Sequence, residues 1–395
     1  MTNFYPLLEN PYRTKDINSA IKILKSRKLT IGSKTKEFQN KFSNKLKTKH
    51  SLMVNSGSSA NLLAFQCLIN PYRKNRLKSG DEVLIPALCW STSLWPIIQS
   101  GLKPKFVDID PETLNIDLND LKKKITKKTK AIMLVHVLGN CTNMDELMKI
   151  KKKNNLFLIE DTCESLGTKF KKKYLGTFGE FASFSFYSSH QISSGEGGMI
   201  CCSNANDHEI LKSLRAHGWS RGLKNEKKIA KKFYNLDKRF IFYNSGFNLR
   251  STDIAASIGL SQFKDLDKFI KLRSYNRDKI YYEIQKNKKV KKGYNILKPN
   301  NFVKASWFGI PVILHKSLDR NKVIKNLERM GIETRPIISG NFLKQPSVIK
   351  YKLNKKGKMK NAEQINNRGF FIGLPTNKMT SKKIKKLVNY FEKSF

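Results

Sequence analysis

Residues 184–200 read FSFYSSHQISSGEGGMI. Phe184 and Phe186 alternate with Ser185 and Tyr187, so an extended chain sends the rings to one face and the polar groups to the other. The run breaks into a polar turn carrying His190, passes through Gly195-Glu196-Gly197-Gly198 and resumes as an apolar strand over Met199 to Cys202. Strand, turn, glycine-rich hinge and strand together can hold one side chain rigidly over a site. Taken alone, the stretch is equally a hairpin with an ordinary surface histidine. The surrounding chain has to decide between the two.

On both sides of this stretch, short apolar runs alternate with amphipathic helical patterns. The expected strands are Leu52 to Asn55, Glu82 to Pro86, Lys105 to Asp108, Ala131 to Val137, Leu156 to Glu160, Ala182 to Tyr187 and Met199 to Ser203. Helices are expected between them at Ser59 to Ile69, Ser91 to Gln99, Leu118 to Ile125 and Met144 to Asn154, and earlier at 16–28 and 35–47. Strands alternating with helices predict a mainly parallel sheet covered on both faces, with any site at the carboxyl ends of the strands. Residues 220–247 read as irregular, basic and aromatic. A helical pattern from about Thr252 to Gln285 is long enough to join two domains, and a strand at Trp307 to Leu314 with helices at Asn321 to Met330 and Ser381 to Phe395 predicts a smaller α/β unit. The expected division is a large domain over 1–265 and a small one over 266–395.

At 395 residues, with 39% hydrophobic and 10% aromatic content, the chain has the makings of a large buried core. It contains nothing near the ~18 to 20 uninterrupted apolar residues of a membrane span. Its start, MTNFYPLLEN, has neither the basic nor the apolar region of a signal peptide, so a soluble cytoplasmic protein is expected. The net charge is +45, from 76 Lys and Arg against 31 Asp and Glu. The lysines are spread along the chain (Lys122 to Lys124, Lys151 to Lys153, Lys171 to Lys173) without interleaved aromatics, which favours solvated helix faces over a nucleic-acid surface. Such a charge would still attract a phosphorylated substrate. The six cysteines (67, 89, 141, 163, 201 and 202) form no CxxC pair, so reduced thiols and no metal site are expected.

Several residues at strand ends have chemical potential. Asn55-Ser56-Gly57-Ser58-Ser59-Ala60 follows a strand and opens a helix, where small residues let backbone N–H groups approach a phosphate; a plain Ser/Asn helix cap reads the same way. Asp161 closes a strongly apolar strand and can pair with a protonated ring nitrogen, or merely cap a helix. Trp90 can stack on a flat ring or fill a core. His217, in RAHGWSR at 215, follows a helix that it or an arginine could cap.

The order of these features resembles that of pyridoxal phosphate enzymes with the aspartate aminotransferase fold (fold type I), an α/β class with a mostly parallel central sheet and a smaller C-terminal α/β domain. More closely, the chain resembles the nucleotide-sugar aminotransferase family, the DegT/StrS group. The motifs that carry the likeness are GSKTKEF at 32, VNSGSSANLLA at 54, HVLGNCTNMDEL at 136, EDTCESLG at 160, the 184–200 stretch, RAHGWSR at 215, GFNLRSTDIAASIGL at 246 and GIETRP at 331. His190 stands where the family's aminotransferases have the lysine that bonds covalently to the cofactor, and imidazole cannot form that bond.

A histidine-bearing branch of the family removes the 3-hydroxyl of nucleotide-linked 4-keto-6-deoxy sugars. The resemblance therefore implies pyridoxal or pyridoxamine phosphate as cofactor, GDP-4-keto-6-deoxy-D-mannose as substrate, L-glutamate as amine donor, and a role in O-antigen sugar synthesis. It implies His190 as general base and Asp161 as partner of the ring nitrogen. Gly57, Ser58 and Ser185 would bind the phosphate, Trp90 would stack on the ring, Glu164 would support its edge, and Asn248 would reach in from a second subunit of a homodimer. His217, Arg221, Arg250 and Arg335 would face the substrate, the arginines being suited to phosphate or carboxylate. Gln191 and Gly195 depart from that branch's pattern. An iron–sulfur relative is also known in the family, but only Cys163 matches its ligands, so no cluster is expected. The competing readings are another reaction or another nucleotide, such as CDP, on the same fold, and a non-catalytic basic binding protein.

Overall fold

The apolar runs between helices over residues 50–202 join one seven-stranded sheet. In a computed structural model that describes residues 4–9, 11–353 and 358–395, the strands are β1 (His50–Val54), β2 (Glu82–Pro86), β3 (Lys103–Val107), β4 (Thr129–Val135), β5 (Phe157–Asp161), β6 (Phe181–Ser185) and β7 (Gly198–Cys202). Their spatial order is β1-β7-β6-β5-β4-β2-β3. The neighbours β6/β5, β5/β4, β4/β2 and β2/β3 are parallel, and β7 alone runs against both of its partners. Parallel strands joined by helical crossovers need cover on both faces, which accounts for their near-continuous apolar sequences.

The 184–200 stretch therefore does not form an edge hairpin. Its two strands lie inside the sheet, in register from Phe181 opposite Cys202 to Ser185 opposite Gly198. Phe184 and Phe186 pack with Phe38, Phe42 and Phe263 beneath the helices Ser33–Leu46 and Asp253–Phe263, with Phe42 stacked on Phe263 at 5.2 Å. Burial of each such ring contributes about 1.5–3 kcal/mol. Cys201 and Cys202 fall on opposite faces of the sheet, as strand alternation requires. The chain can enter β7 only with glycine at 198, because a Cβ there would lie 2.4 Å from the Ser56 carbonyl carbon.

A second sheet is formed by Tyr294–Ile296, Gly309–Leu314 and Gly369–Gly373, all antiparallel, with Gly309–Leu314 in the centre. The helices Arg320–Arg329 and Ser381–Lys393 contribute to its core, which also takes in Tyr5 from the N-terminal segment. The expected long helix after Thr252 is two helices, Asp253–Phe263 and Leu266–Lys286. The break falls at Lys264–Asp265, where the Asp265 carboxylate accepts Arg13 at 2.6 Å and Lys15 at 2.5 Å. Residues 220–247 are also more regular than expected, with a helix at Glu226–Lys232 and a 3₁₀ turn at Lys238–Phe240. Among the described residues, no helix is long and apolar enough to cross a membrane.

Candidate active site

The carboxyl ends of β1, β2, β4, β5 and β6 open on one cavity of about 650 Å³. It brings together Gly57, Ser58, Trp90, Asp161, Glu164, Ser185, His190 and Arg335 from widely separated parts of the sequence. No lysine lines it. Its far wall comes from the C-terminal unit, through Phe308, Arg335 and Phe371.

Asp161 sits at the floor, nearly fully buried. Its Oδ2 accepts hydrogen bonds from Asn61 Nδ2 at 2.9 Å and Ser93 Oγ at 2.7 Å, and its Oδ1 accepts the Cys163 N–H at 3.2 Å. All three donors are neutral. A buried carboxylate held only by neutral groups and facing a cavity has room for a cationic N–H from a bound ring. Behind it, Glu160 accepts the N–H groups of Gly176 (2.8 Å), Phe178 (2.7 Å) and Gly179 (2.8 Å), and pairs with His136 Nε2 at 3.1 Å. Burial alone would raise the pKa of Glu160, but the His136 contact and these backbone donors outweigh it and hold the group below the ordinary value.

At the opposite end of the cavity the helix Gly57–Leu68 begins. Ser56 caps it, its side chain accepting the Ser59 N–H at 3.1 Å. A Cβ on Gly57 would lie 2.7 Å from both Cys163 Sγ and Ser185 Cβ, so glycine lets the helix start press against β6. Ser58 Oγ and Thr92 Oγ1 are 2.8 Å apart and join this turn to the helix that follows Trp90. The capping reading of the Ser56 turn is correct, and the same geometry leaves a helix N-terminus at the cavity that suits a phosphate. Trp90 is 56% exposed, so it is a wall of the cavity and not a core residue.

His190 lies in the β6–β7 loop, its ring edge-on to Phe308 at 5.2 Å. An unperturbed histidine titrates at about 6.5. Burial instead pushes the pKa of His190 down to about 4, with Asp161 pulling it upward and the Arg273 charge pushing it further down. The ring is therefore a neutral free base at pH 7. Glu164 behaves oppositely: burial pushes its carboxyl up to about 7, against the hydrogen bond from the Leu138 N–H at 2.9 Å.

His217, Arg221, Asn248 and Arg250 do not line this cavity. They belong to a neighbouring segment in which Ala216 bridges to Asn248 and Arg250 Nε donates to Asn248 Oδ1 at 3.0 Å. His217 takes a left-handed backbone (φ 61°), and its N–H donates to the Phe247 carbonyl at 2.6 Å. Conversely, the sequence reading passed over Asn61, Ser93 and His136. Asn61 was detectable as a polar residue within the apolar helix NLLAFQCL.

A model of the DegT/DnrJ/EryC1/StrS aminotransferase family matches residues 11–392. The GDP-4-keto-6-deoxy-D-mannose 3-dehydratase of Yersinia pseudotuberculosis is 38% identical over 398 residues, covering 100% of this chain and 99% of the relative. The solved structure of the Escherichia coli GDP-4-keto-6-deoxy-D-mannose-3-dehydratase with bound hydrated PLP matches with a TM-score of 0.91 at 35% identity, covering 100% of both chains. A structure of GDP-4-keto-6-deoxymannose-3-dehydratase with a trapped PLP-glutamate geminal diamine gives 0.91 at 36% identity, covering 98% of this chain and 100% of that one.

Proposed function

This chain belongs to the DegT/DnrJ/EryC1/StrS aminotransferase family, and on that premise we propose that it removes the 3-hydroxyl of a nucleotide-linked 4-keto-6-deoxyhexose, GDP-4-keto-6-deoxy-D-mannose. The cofactor is pyridoxamine phosphate, regenerated from pyridoxal phosphate by glutamate, and the product is a 3,6-dideoxy-4-keto sugar for cell-surface glycans. The observation that carries this reading is a cavity with a neutral imidazole at His190 and, among the described residues, no lysine in its lining.

When bound, the cofactor supplies an amine for the C4 ketone and an electron-accepting ring. The side chains divide the remaining work. Asp161 holds the proton on the ring nitrogen. The Gly57–Ser58 turn, with Ser185, holds the phosphate, and Trp90 covers one ring face. His190, already neutral, takes the C4′ proton and returns one to the departing 3-hydroxyl. Among the described residues no lysine lines the cavity to capture the cofactor covalently, so the nitrogen that the cofactor supplies would be released as ammonia by hydrolysis. The balance closes: the sugar loses one oxygen, glutamate becomes 2-oxoglutarate, and ammonia is released. Arg335 lies where it could hold a carboxylate or phosphate.

We place His217, Arg221, Asn248 and Arg250 in a site shared across a homodimer. Two observations support this: they lie off their own chain's cavity, and the same segment exposes Tyr234 (87%), Phe240 (57%) and Phe242 (60%) to solvent. The protein is expected to work in the cytoplasm, where its sugar nucleotide and glutamate are found.

The test incubates the protein with pyridoxal phosphate, glutamate and GDP-4-keto-6-deoxy-D-mannose. Mass spectrometry should find a sugar nucleotide one oxygen lighter, with ammonia and 2-oxoglutarate in equal amounts. An amino sugar as sole product would overturn the reading. His190→Lys should capture pyridoxal phosphate covalently and lose deoxygenation.

A further inference from the structure

The turn that carries His190 is held from behind by two side chains that do not line the cavity. Gln191, 3% exposed, donates its Nε2 to the Glu164 carbonyl at 2.5 Å and to the Ser306 carbonyl at 3.1 Å. Arg273, also 3% exposed, extends from the helix Leu266–Lys286. Its Nη2 donates to the His190 carbonyl at 3.2 Å and its Nη1 to the Trp307 carbonyl at 3.3 Å. The turn is thereby tied to consecutive carbonyls of the C-terminal unit, just ahead of Phe308, whose ring meets the imidazole edge-on.

For hydrogen bonding alone, a neutral donor such as Gln191 would suffice. Arg273 is a costlier choice. Its partners are carbonyls, its Nε has no partner, and no carboxylate pairs with it among the described residues. A buried cation without a counter-ion is expensive to keep. Burial lowers its pKa only to about 10, so it remains charged at neutral pH. What it adds beyond a neutral donor is a fixed positive potential behind the imidazole. Of the other groups near the ring, Asp161 on β5 favours a proton on it, and Tyr187 of the same loop lies edge-on at 6.3 Å. Glu164, Glu196 and Arg335 border the same cavity. A bound phosphate would add to the pull of Asp161.

We infer that Arg273 is a positioning residue that fixes the His190 turn and sets a positive potential behind the imidazole, opposing the pull of Asp161 and a bound phosphate. The inference rests on His190 being the base of the proposed reaction.

Arg273→Gln retains donors and removes the charge, Arg273→Lys retains the charge, and Gln191→Met removes only hydrogen bonds. With the loaded enzyme, the acid limb of kcat/KM should move to higher pH by about one unit in Arg273→Gln. It should stay near the wild-type position in Arg273→Lys, and in Gln191→Met, where kcat falls at every pH. Arg273→Met repeats the charge removal if the glutamine variant does not fold. A second readout is histidine-ring NMR titration of the cofactor-free protein, with the His190 signal identified by its loss in His190→Asn. That signal should take up its proton at higher pH in Arg273→Gln. An unmoved limb and an unmoved titration in the charge-removing variants would overturn the inference, as would an equal shift in Gln191→Met. If His190→Asn keeps dehydratase activity, the assignment of the base fails; if it is inactive while Arg273→Gln leaves the limb in place, only the role of Arg273 fails.

Discussion

Asp161→Asn replaces one atom at the floor of the cavity, and its cost can be worked from three hydrogen bonds. Oδ2 accepts from Asn61 and Ser93, and Oδ1 accepts from the Cys163 N–H. If the new amide keeps its oxygen toward Asn61 and Ser93, its NH₂ meets the Cys163 N–H donor to donor. If it turns over, the NH₂ meets Asn61 Nδ2, and only the Ser93 hydroxyl can rotate to accept. Either way one buried donor loses its acceptor, at about 1–3 kcal/mol, and this part of the cost appears as a lower melting temperature of the cofactor-free protein. A separate cost falls on cofactor binding. A charge-assisted contact to the ring nitrogen, typically about 1.5–3 kcal/mol, becomes a neutral one of about 0.5–1.5 kcal/mol. The difference corresponds to roughly 10-fold weaker binding of pyridoxal and pyridoxamine phosphate. Turnover should fall further, because a neutral amide does not keep the ring nitrogen protonated. Equilibrium dialysis and cofactor absorbance measure the affinity, and single-turnover product formation measures the rate. Wild-type affinity together with wild-type turnover in a folded Asp161→Asn protein would refute Asp161 as the ring partner.

Gly57→Ala should weaken cofactor binding and lower stability by about 1–3 kcal/mol, because its Cβ would lie 2.7 Å from Cys163 Sγ and Ser185 Cβ; thermal melts and absorbance titration check both. Glu160→Gln turns an NH₂ toward a nest of backbone donors and His136, so the cofactor-free protein should melt earlier, by about 2–4 kcal/mol of stability; an unchanged melt would rule out this nest as a stabilising feature. Glu164 has a native pKa raised to about 7, so the folded state binds the extra proton and this group's contribution is lost as pH rises from the ordinary carboxylate range through 7. His190, lowered to about 4, works in the opposite sense, its contribution growing as pH rises through the ordinary histidine range. Melting temperature in Glu164→Gln should therefore rise more steeply between mildly acid and neutral pH than in wild type, and parallel curves would contradict the assignment.

How much was legible in the sequence depended on the range of the interactions involved. The expected β2 at Glu82 to Pro86 and the helix at Ser91 to Gln99 coincide with the observed elements, because local periodicity and a polar helix start determine both. The expected Ala182 to Tyr187 strand ends at Ser185: the Phe186 N–H still meets the Gly197 carbonyl, but the Phe186 carbonyl accepts the Ser194 N–H within the loop and the ladder stops. The long helical pattern after Thr252 runs through Lys264–Asp265 without interruption in the sequence, and its break involves Arg13 and Lys15, some 250 residues away in the chain. Within the site, Asp161, Gly57 and Ser185 were legible because each ends a strand or opens a helix. Arg273 was not: in a chain with 76 Lys and Arg, one more cation on an amphipathic helix carries no local signal. Its role depends on a contact to His190, 83 residues earlier in the sequence.

The exchange of lysine for histidine at position 190 gains a physical meaning from burial. Desolvation disfavours the charged form of either side chain. A lysine in this place would be driven toward its neutral amine, which is a nucleophile able to capture the cofactor. A histidine is driven toward neutral imidazole, a proton acceptor that forms no such bond. The same carboxylate-floored cavity would thus prepare two different reagents, according to which residue the β6–β7 loop presents. On the proposed roles, little else needs to differ between adding an amine and removing a hydroxyl: a phosphate turn, a ring partner and an aromatic wall would serve both. That is why a single residue in an otherwise familiar pattern carries so much of the functional reading: burial sets its protonation state, and the charges of Asp161 and Arg273 adjust it in opposite directions.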